Sequence, residues 1–236
     1  MNVGFGVLPD RAPPSLADRI ATMRERLASA AAKAGRARDC VTLVGVSKKQ
    51  PRDVVEEALA CGLGDIAENY LQEARPKLAG LDAVRKHFIG HIQTNKAKAI
   101  VETFDVVQSI DRIEAGRAIA RAAVALGKPV RALIQINISP SERFGVAPDD
   151  AVELARTLRD EGLDIAGVMA IGPNSEDRGV LVDAFAIAAR TFAAVGGDTF
   201  SIGMSGDYEV AIASGSTMVR IGTALFGSRT TSGGGL

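Results

Sequence analysis

The chain has 236 residues, with 28 Lys and Arg balanced by 28 Asp and Glu, so its formal charge is zero. Hydrophobic residues make up 47%, enough for one large core and too many for a disordered chain. Neutrality, 4% aromatics and the absence of Trp argue against a nucleic-acid binder built on a basic face or on base stacking, and no apolar run reaches the ~20 residues of a membrane span.

In chain order, residues 1–14 contain an acid and several prolines but no basic start followed by an apolar run, so they read as a flexible tail and not as a secretory signal. Ser15 to Arg36 carries apolar residues at Leu16, Ile20, Met23, Leu27 and Ala30, which is helical spacing behind a Ser N-cap. Val41–Ser47 is a short run, apolar on both faces, as a buried parallel strand requires. The pattern then repeats. Helices are predicted over Arg52–Cys61, Leu71–Leu78, Thr94–Thr103, Asp111–Leu126, Pro148–Glu161, Glu176–Val195 and Asp207–Ala213. Strands are predicted over Asp65–Glu68, His87–Gly90, Val106–Ile110, Val130–Ile138, Ile165–Ile171, Thr199–Gly203 and Met218–Ile221. Asp111 with Glu114 resembles a capping box, and Pro148 suits a first helical turn.

Eight strands with a helix between each successive pair imply a parallel sheet, and eight repeats in about 190 residues imply closure into a single α/β barrel of the (β/α)8 TIM type, preceded by an extra helix. A doubly wound open sheet is the alternative. The expected organisation is one domain over residues 15–228, with a second flexible tail over 229–236. Two cysteines, Cys40 and Cys61, are too few for a disulfide framework, and with only His87 and His91 beside them no metal centre is expected. A reducing, cytoplasmic setting fits this composition.

Barrel chemistry sits at the carboxyl ends of the strands. Lys48 follows directly on the first strand, where a partly desolvated amine can form a Schiff base; the alternative is that Lys48 and Lys49 simply begin a solvated loop. Asn69 follows strand 2. His87 and His91, four residues apart, would share one face of strand 3, in a hydrogen-bonding role at the barrel mouth. Strand 7 runs into Gly203-Met-Ser-Gly-Asp207 and strand 8 into Arg220-Ile-Gly-Thr-Ala-Leu-Phe-Gly227. Each joins small residues to a helix start, leaving backbone N–H groups free for an anion, and phosphate sites after strands 7 and 8 recur in this fold. Tight βα turns are the other use for such glycines. No dinucleotide or P-loop fingerprint is present, and Ser47 and Ser205 have no triad partners at motif spacing.

Lysine after strand 1 with a phosphate site after strands 7 and 8 is the layout of a barrel holding pyridoxal 5′-phosphate (PLP). Val44–Pro51, Glu68–Glu73, His87–Lys96, Ser201–Asp207 and Gly215–Gly227 together resemble the pyridoxal phosphate homeostasis proteins, the YggS/PROSC family, whose barrel is similar to that of the alanine racemase N-terminal domain. The resemblance implies a PLP-binding protein of vitamin B6 homeostasis that holds the cofactor as an aldimine of Lys48 and exchanges it without robust catalysis. It implies that Ser205 and the backbone of Gly222 and Thr223 hold the phosphate, that Arg220 faces the pyridine nitrogen, and that Asn69 and His91 line the cofactor, with Met204 and Ser201 as outlying wall. Arg143 stands where the family commonly has a Lys, and Arg cannot form an aldimine at neutral pH.

The competing reading is a PLP-dependent amino-acid racemase, which needs bases on both faces of the α-carbon. Alanine racemases take one base, a Tyr, from a further β domain; this sequence ends soon after its eighth strand, and neither Tyr70 nor Tyr208 is an evident substitute. A Schiff-base aldolase ranks last, since its lysine belongs on strand 6, where Met169 and Ala170 stand. Apo PLP enzymes are the expected recipients, and a monomer with no nucleic-acid or membrane partner is expected.

Overall fold

The computed structural model describes residues 13–139 and 144–227; the two predicted tails, apart from residues 13 and 14, and Arg143 lie outside these. Helix α1 (Leu16–Lys33) leads into β1 (Thr42–Val46), α2 (Arg52–Ala60), β2 (Asp65–Glu68), α3 (Leu71–Leu78), β3 (Arg85–Phe88), α4 (Ala97–Thr103), β4 (Val106–Ile110) and α5 (Ile113–Leu126). The second half comprises β5 (Arg131–Ile136), α6 (Ala151–Asp160), β6 (Asp164–Ala170), α7 (Arg178–Val195), β7 (Thr199–Ser201), α8 (Tyr208–Ala213), β8 (Met218–Ile221) and the single turn α9 (Thr223–Phe226). The strands are all parallel and close in sequence order into one barrel, so the open sheet is excluded.

Ser15 caps α1 as its sequence predicts: its Oγ accepts the Asp18 N–H at 3.1 Å while the Asp18 carboxylate accepts the Ser15 N–H at 3.1 Å. The capping box at Asp111 does not form. Asp111 is held instead by the Arg112 guanidinium at 2.7 Å, and Arg112 becomes the N-cap of α5 without a side-chain hydrogen bond. The predicted helix over Thr94–Thr103 begins as a 3-10 turn, Thr94–Lys96, and Pro148 opens a similar turn, Pro148–Asp150, ahead of α6.

Strand β3 lies two residues earlier than the sequence suggests. Arg85 and Lys86 pair in register with Asp65 and Ile66 of β2, and the Arg85 guanidinium meets the Asp65 carboxylate at 2.9 Å. The strand therefore ends at Phe88, and the alternation that would put His91 on the face of His87 stops short of it.

Alternation along the strands sorts side chains into two regions. Outward residues such as Ile66, Phe88, Val107, Ile134, Phe200 and Ile221 join the helices in the main core. Inward residues make two small apolar clusters, Val44, Val46, Ala67 and Met218 on one side and Leu133, Ala166 and Met169 on the other. His87, Gln108, Ser201 and Arg220 are buried among the strands with them. Burial of each large apolar side chain stabilises the fold by roughly 1.5–3 kcal/mol.

Closure pairs the first strand with the last. Val44 lies opposite Arg220 and Gly45 opposite Ile221, which brings the segment after β1 beside the segment after β8. Gly45 is needed there: a Cβ would stand 2.6 Å from Leu63 and 3.2 Å from Phe226, the residue that seats α9 on the barrel.

Candidate functional site

Lys48 occupies the first central position of a turn closed by the Gln50 N–H on the Ser47 carbonyl at 3.0 Å. Lys49, at the second, has φ 62°, the one positive φ outside glycine among the described residues. A left-handed lysine costs about 1–2 kcal/mol, so surrounding contacts must enforce it. Helix α3 supplies them. Lys77 Nζ donates to Ser47 O at 2.8 Å and to Gln50 O at 3.1 Å and pairs with Glu68 Oε1 at 2.6 Å, while the Ser47 hydroxyl donates to the same oxygen at 2.6 Å. One helical turn earlier, Glu73 accepts the Lys49 N–H at 3.3 Å. Glu68 is fully buried, and burial pushes its carboxyl above the usual range against the pull of Lys77 and Ser47. Lys48 itself is exposed and makes no hydrogen bond or ion pair among the described residues, so its amine is free.

The strap of Glu68 and Lys77 is not evident from motif or spacing. Its one sequence signal is that Lys77 falls with Ala74 and Leu78 on the apolar stripe of α3, where a lysine is tolerated only with partners.

Asn69 directly follows β2, and its Oδ1 is buried without a hydrogen-bond partner. Its main chain is pressed by Gly90, where a Cβ would lie 1.9 Å from the Asn69 carbonyl oxygen. His91 lies beyond β3 at the mouth, its ring stacked on Phe144 with centroids 4.4 Å apart and its Nδ1 3.7 Å from Asp111 Oδ2. His87 is instead inside the barrel, between Asp65 and Gln108. Among the described residues no three His, Cys, Asp or Glu gather as metal ligands.

Next to the segment that carries Lys48, the loop after β8, and beyond it the loop after β7, present bare backbone. The N–H groups of Ser205, Gly206, Gly222 and Thr223 have no acceptor among the described residues, and α9 makes its first bonds only from Leu225 and Phe226 back to Gly222. Such a cluster of N–H dipoles favours an anion. Asp207 orders the first loop by accepting the Met204 N–H, and burial pushes its carboxyl up despite that bond and the nearby Arg220.

Arg220 is 4% exposed. Nη1 donates to Ser201 O at 2.7 Å and Ser201 Oγ at 2.6 Å, and Nη2 donates to Ala170 O at 2.8 Å. Burial lowers its pKa to about 10, which leaves it charged at neutral pH. Pockets of about 620 Å³, lined by Gly172, Met204, Gly206 and Asp207 among others, and about 210 Å³, lined by Asn69, Tyr70, His91 and Lys96 among others, open among these loops.

Residues 19–230 match the alanine racemase N-terminal domain family. The pyridoxal phosphate homeostasis protein of Pseudomonas aeruginosa is 41% identical over 221 residues, which span 91% of this chain and 96% of that one. The chain belongs to the pyridoxal phosphate homeostasis family. PipY of Synechococcus elongatus, in a structure determined with PLP bound, superposes with a TM-score of 0.75 at 30% identity over 90% of this chain and all of that one. Alanine racemase of Clostridium difficile shares the fold alone, with a TM-score of 0.65 at 15% identity, and is matched over 56% of its length.

The residues singled out from the family motifs fit PLP. An unpaired amine at Lys48, a buried guanidinium at Arg220, bare N–H groups at Ser205, Gly222 and Thr223 and an orphaned acceptor at Asn69 all lie at the carboxyl ends of their strands. His91 shares that end of the barrel, but its ring is already engaged by Phe144. Met204 is partly exposed on the β7–α8 loop, whereas Ser201 is fully buried and acts through Arg220.

Proposed function

We propose that this protein binds PLP at the carboxyl face of the barrel and serves cytoplasmic PLP homeostasis, holding the cofactor and passing it to apo enzymes. One observation carries the reading: barrel closure brings the turn that carries Lys48 beside the loop that carries the bare N–H groups of Gly222 and Thr223, with the buried Arg220 on the same strand pair. PLP supplies an aldehyde that condenses with a primary amine, a phosphate dianion and a ring nitrogen. Lys48 offers the amine, presented on a turn fixed by Lys77 and Glu73. Ser205, Gly206, Gly222 and Thr223 offer donors to the dianion. Arg220, always a donor, favours an unprotonated ring nitrogen, which weakens the ring as an electron sink and suits storage over carbanion chemistry.

The racemase reading is less well supported. The homeostasis relative and PipY are matched along almost their whole lengths, the racemase along little more than half. Tyr70 is 51% exposed and Tyr208 sits in α8 against the core.

The test is a mixing assay. Protein loaded with PLP and freed of excess should show a visible absorption band and restore activity to an apo PLP enzyme, and Lys48→Ala should lose the band while folding normally. A Lys48→Ala protein with an unchanged band, or steady L- to D-amino-acid conversion dependent on Lys48, would overturn the proposal.

A further inference from the structure

Arg220 begins a line of hydrogen bonds that crosses the inside of the barrel. Its Nη1 donates to Ser201 Oγ at 2.6 Å, and Ser201 Oγ donates to Gln108 Oε1 at 2.7 Å. Gln108 Nε2 then meets His87 Nδ1 at 2.9 Å, and His87 Nε2 meets Asp65 Oδ1 at 2.8 Å. Ser201, Gln108 and His87 are all fully buried. The line runs from β8 to β7, across the interior to β4, and on to β3 and β2, so it ends on a carboxylate at the amino-terminal start of β2.

Its direction is fixed by chemistry. A guanidinium only donates, so Ser201 must accept from Arg220 and pass its own proton to Gln108. The second amide hydrogen of Gln108 faces Met218 Sδ at 3.3 Å, which puts the amide nitrogen on the side of His87 and Met218 and the oxygen on the side of Ser201. His87 Nδ1 therefore accepts and carries no proton, and its Nε2–H donates to Asp65. Burial, which lowers the His87 pKa, favours the same neutral ring. Every member is satisfied, so no rotation is available to one of them without breaking the bonds of its neighbours.

Arg220 has five N–H donors. Two on Nη1 and one on Nη2 are committed to Ser201 and Ala170, leaving Nε and one Nη2 hydrogen. We propose that His87 and Gln108 are positioning residues for Arg220: acting through Ser201, they hold the guanidinium in one orientation, so that its uncommitted N–H groups face the cofactor ring. This rests on the PLP reading of the site, and neither residue is itself placed against the cofactor.

The experiment combines histidine ¹⁵N NMR of the unliganded protein with PLP release and visible spectra of wild type, Gln108→Met, Ser201→Ala and Arg220→Met. The expected result is a proton on His87 Nε2 and a bare Nδ1 at neutral pH. Gln108→Met should shift the cofactor band in the same sense as Arg220→Met and speed PLP release about tenfold, the range for losing a hydrogen bond that supports a charged group. Ser201→Ala, which removes a single oxygen, reads the same link if Gln108→Met folds poorly. A proton on Nδ1 would overturn the proposal, as would wild-type spectra and release in folded Gln108→Met and Ser201→Ala alongside a defective Arg220→Met. Wild-type behaviour in Arg220→Met as well would overturn the cofactor assignment of Arg220, a distinguishable failure.

Discussion

The ammonium of Lys77 lies 2.6 Å from the carboxylate of Glu68, with the two side chains 7% and 0% exposed. The same ammonium donates to both ends of the Ser47–Gln50 turn, so an ion pair buried outside the barrel wall fixes the backbone that presents Lys48. A buried pair is costly to halve, since the survivor is left charged and dry.

Lys77→Met should therefore destabilise the protein by about 3–5 kcal/mol. The charge-neutral double variant Glu68→Gln with Lys77→Met should recover part of that loss while still loosening the turn. Urea denaturation of the single and double variants measures the first effect, and PLP release from the double variant the second. Equal stability of the two variants would show that the stranded carboxylate is not the cause.

The raised carboxyl of Glu68 has a consequence for pH. From its ordinary value of 4.5 up to its folded value, the native state binds a proton that the unfolded chain has released, so this group makes stability fall as pH rises through that window. Asp18, Glu153, Glu161 and Asp198, whose carboxyls are held low by their partners, act oppositely and at lower pH. Comparing wild type with Glu68→Gln isolates the Glu68 part: the wild type should lose stability relative to the variant as pH rises from 4.5. Parallel stability profiles would contradict it.

Gly90 and Asn69 interlock. A Cβ at Gly90 would stand 1.9 Å from the Asn69 carbonyl, backbone that cannot yield cheaply. Gly90→Ala should cost about 3 kcal/mol, the upper range for overpacking, and weaken PLP retention by moving Asn69. Thermal denaturation and gel filtration of the loaded protein read the two effects.

Gly222 is a milder position. Its φ is −107° and the nearest atom to an added Cβ is Val46 O at 3.5 Å, so a side chain fits. Gly222→Asp should leave the fold intact yet weaken PLP binding about tenfold or more, by setting a carboxylate beside the N–H groups assigned to the phosphate. Gly222→Asn, of similar size without the charge, should lose much less. Equal retention by both variants and wild type would remove the phosphate from this loop.

Much of the fold was legible locally. The limits of β2, β4 and β8 and of α3 follow from the residues alone, because apolar alternation and helical spacing are short-range signals. The residues alone place strand β3 two positions late, because Arg85 and Lys86 look like loop; only pairing with Asp65 and Ile66 makes them strand. The capping box at Asp111 failed for a similar reason, since Arg112 and the His91 ring compete for its carboxylate. The motif residues after β1, β2, β7 and β8 were all legible, and the structure sets them at one end of the barrel.

The sequence by itself determined the alternation of eight strands and helices, the family, and which residues end each strand. Tertiary structure alone decided that β8 lies against β1, that Lys77 straps the turn of Lys48, and that His87 reaches Arg220 through groups 21 and 93 residues apart in the chain. The physical reason is range. Periodicity records which face of one element is buried, whereas hydrogen bonds between distant strands exist only once the barrel has closed and water has left its interior.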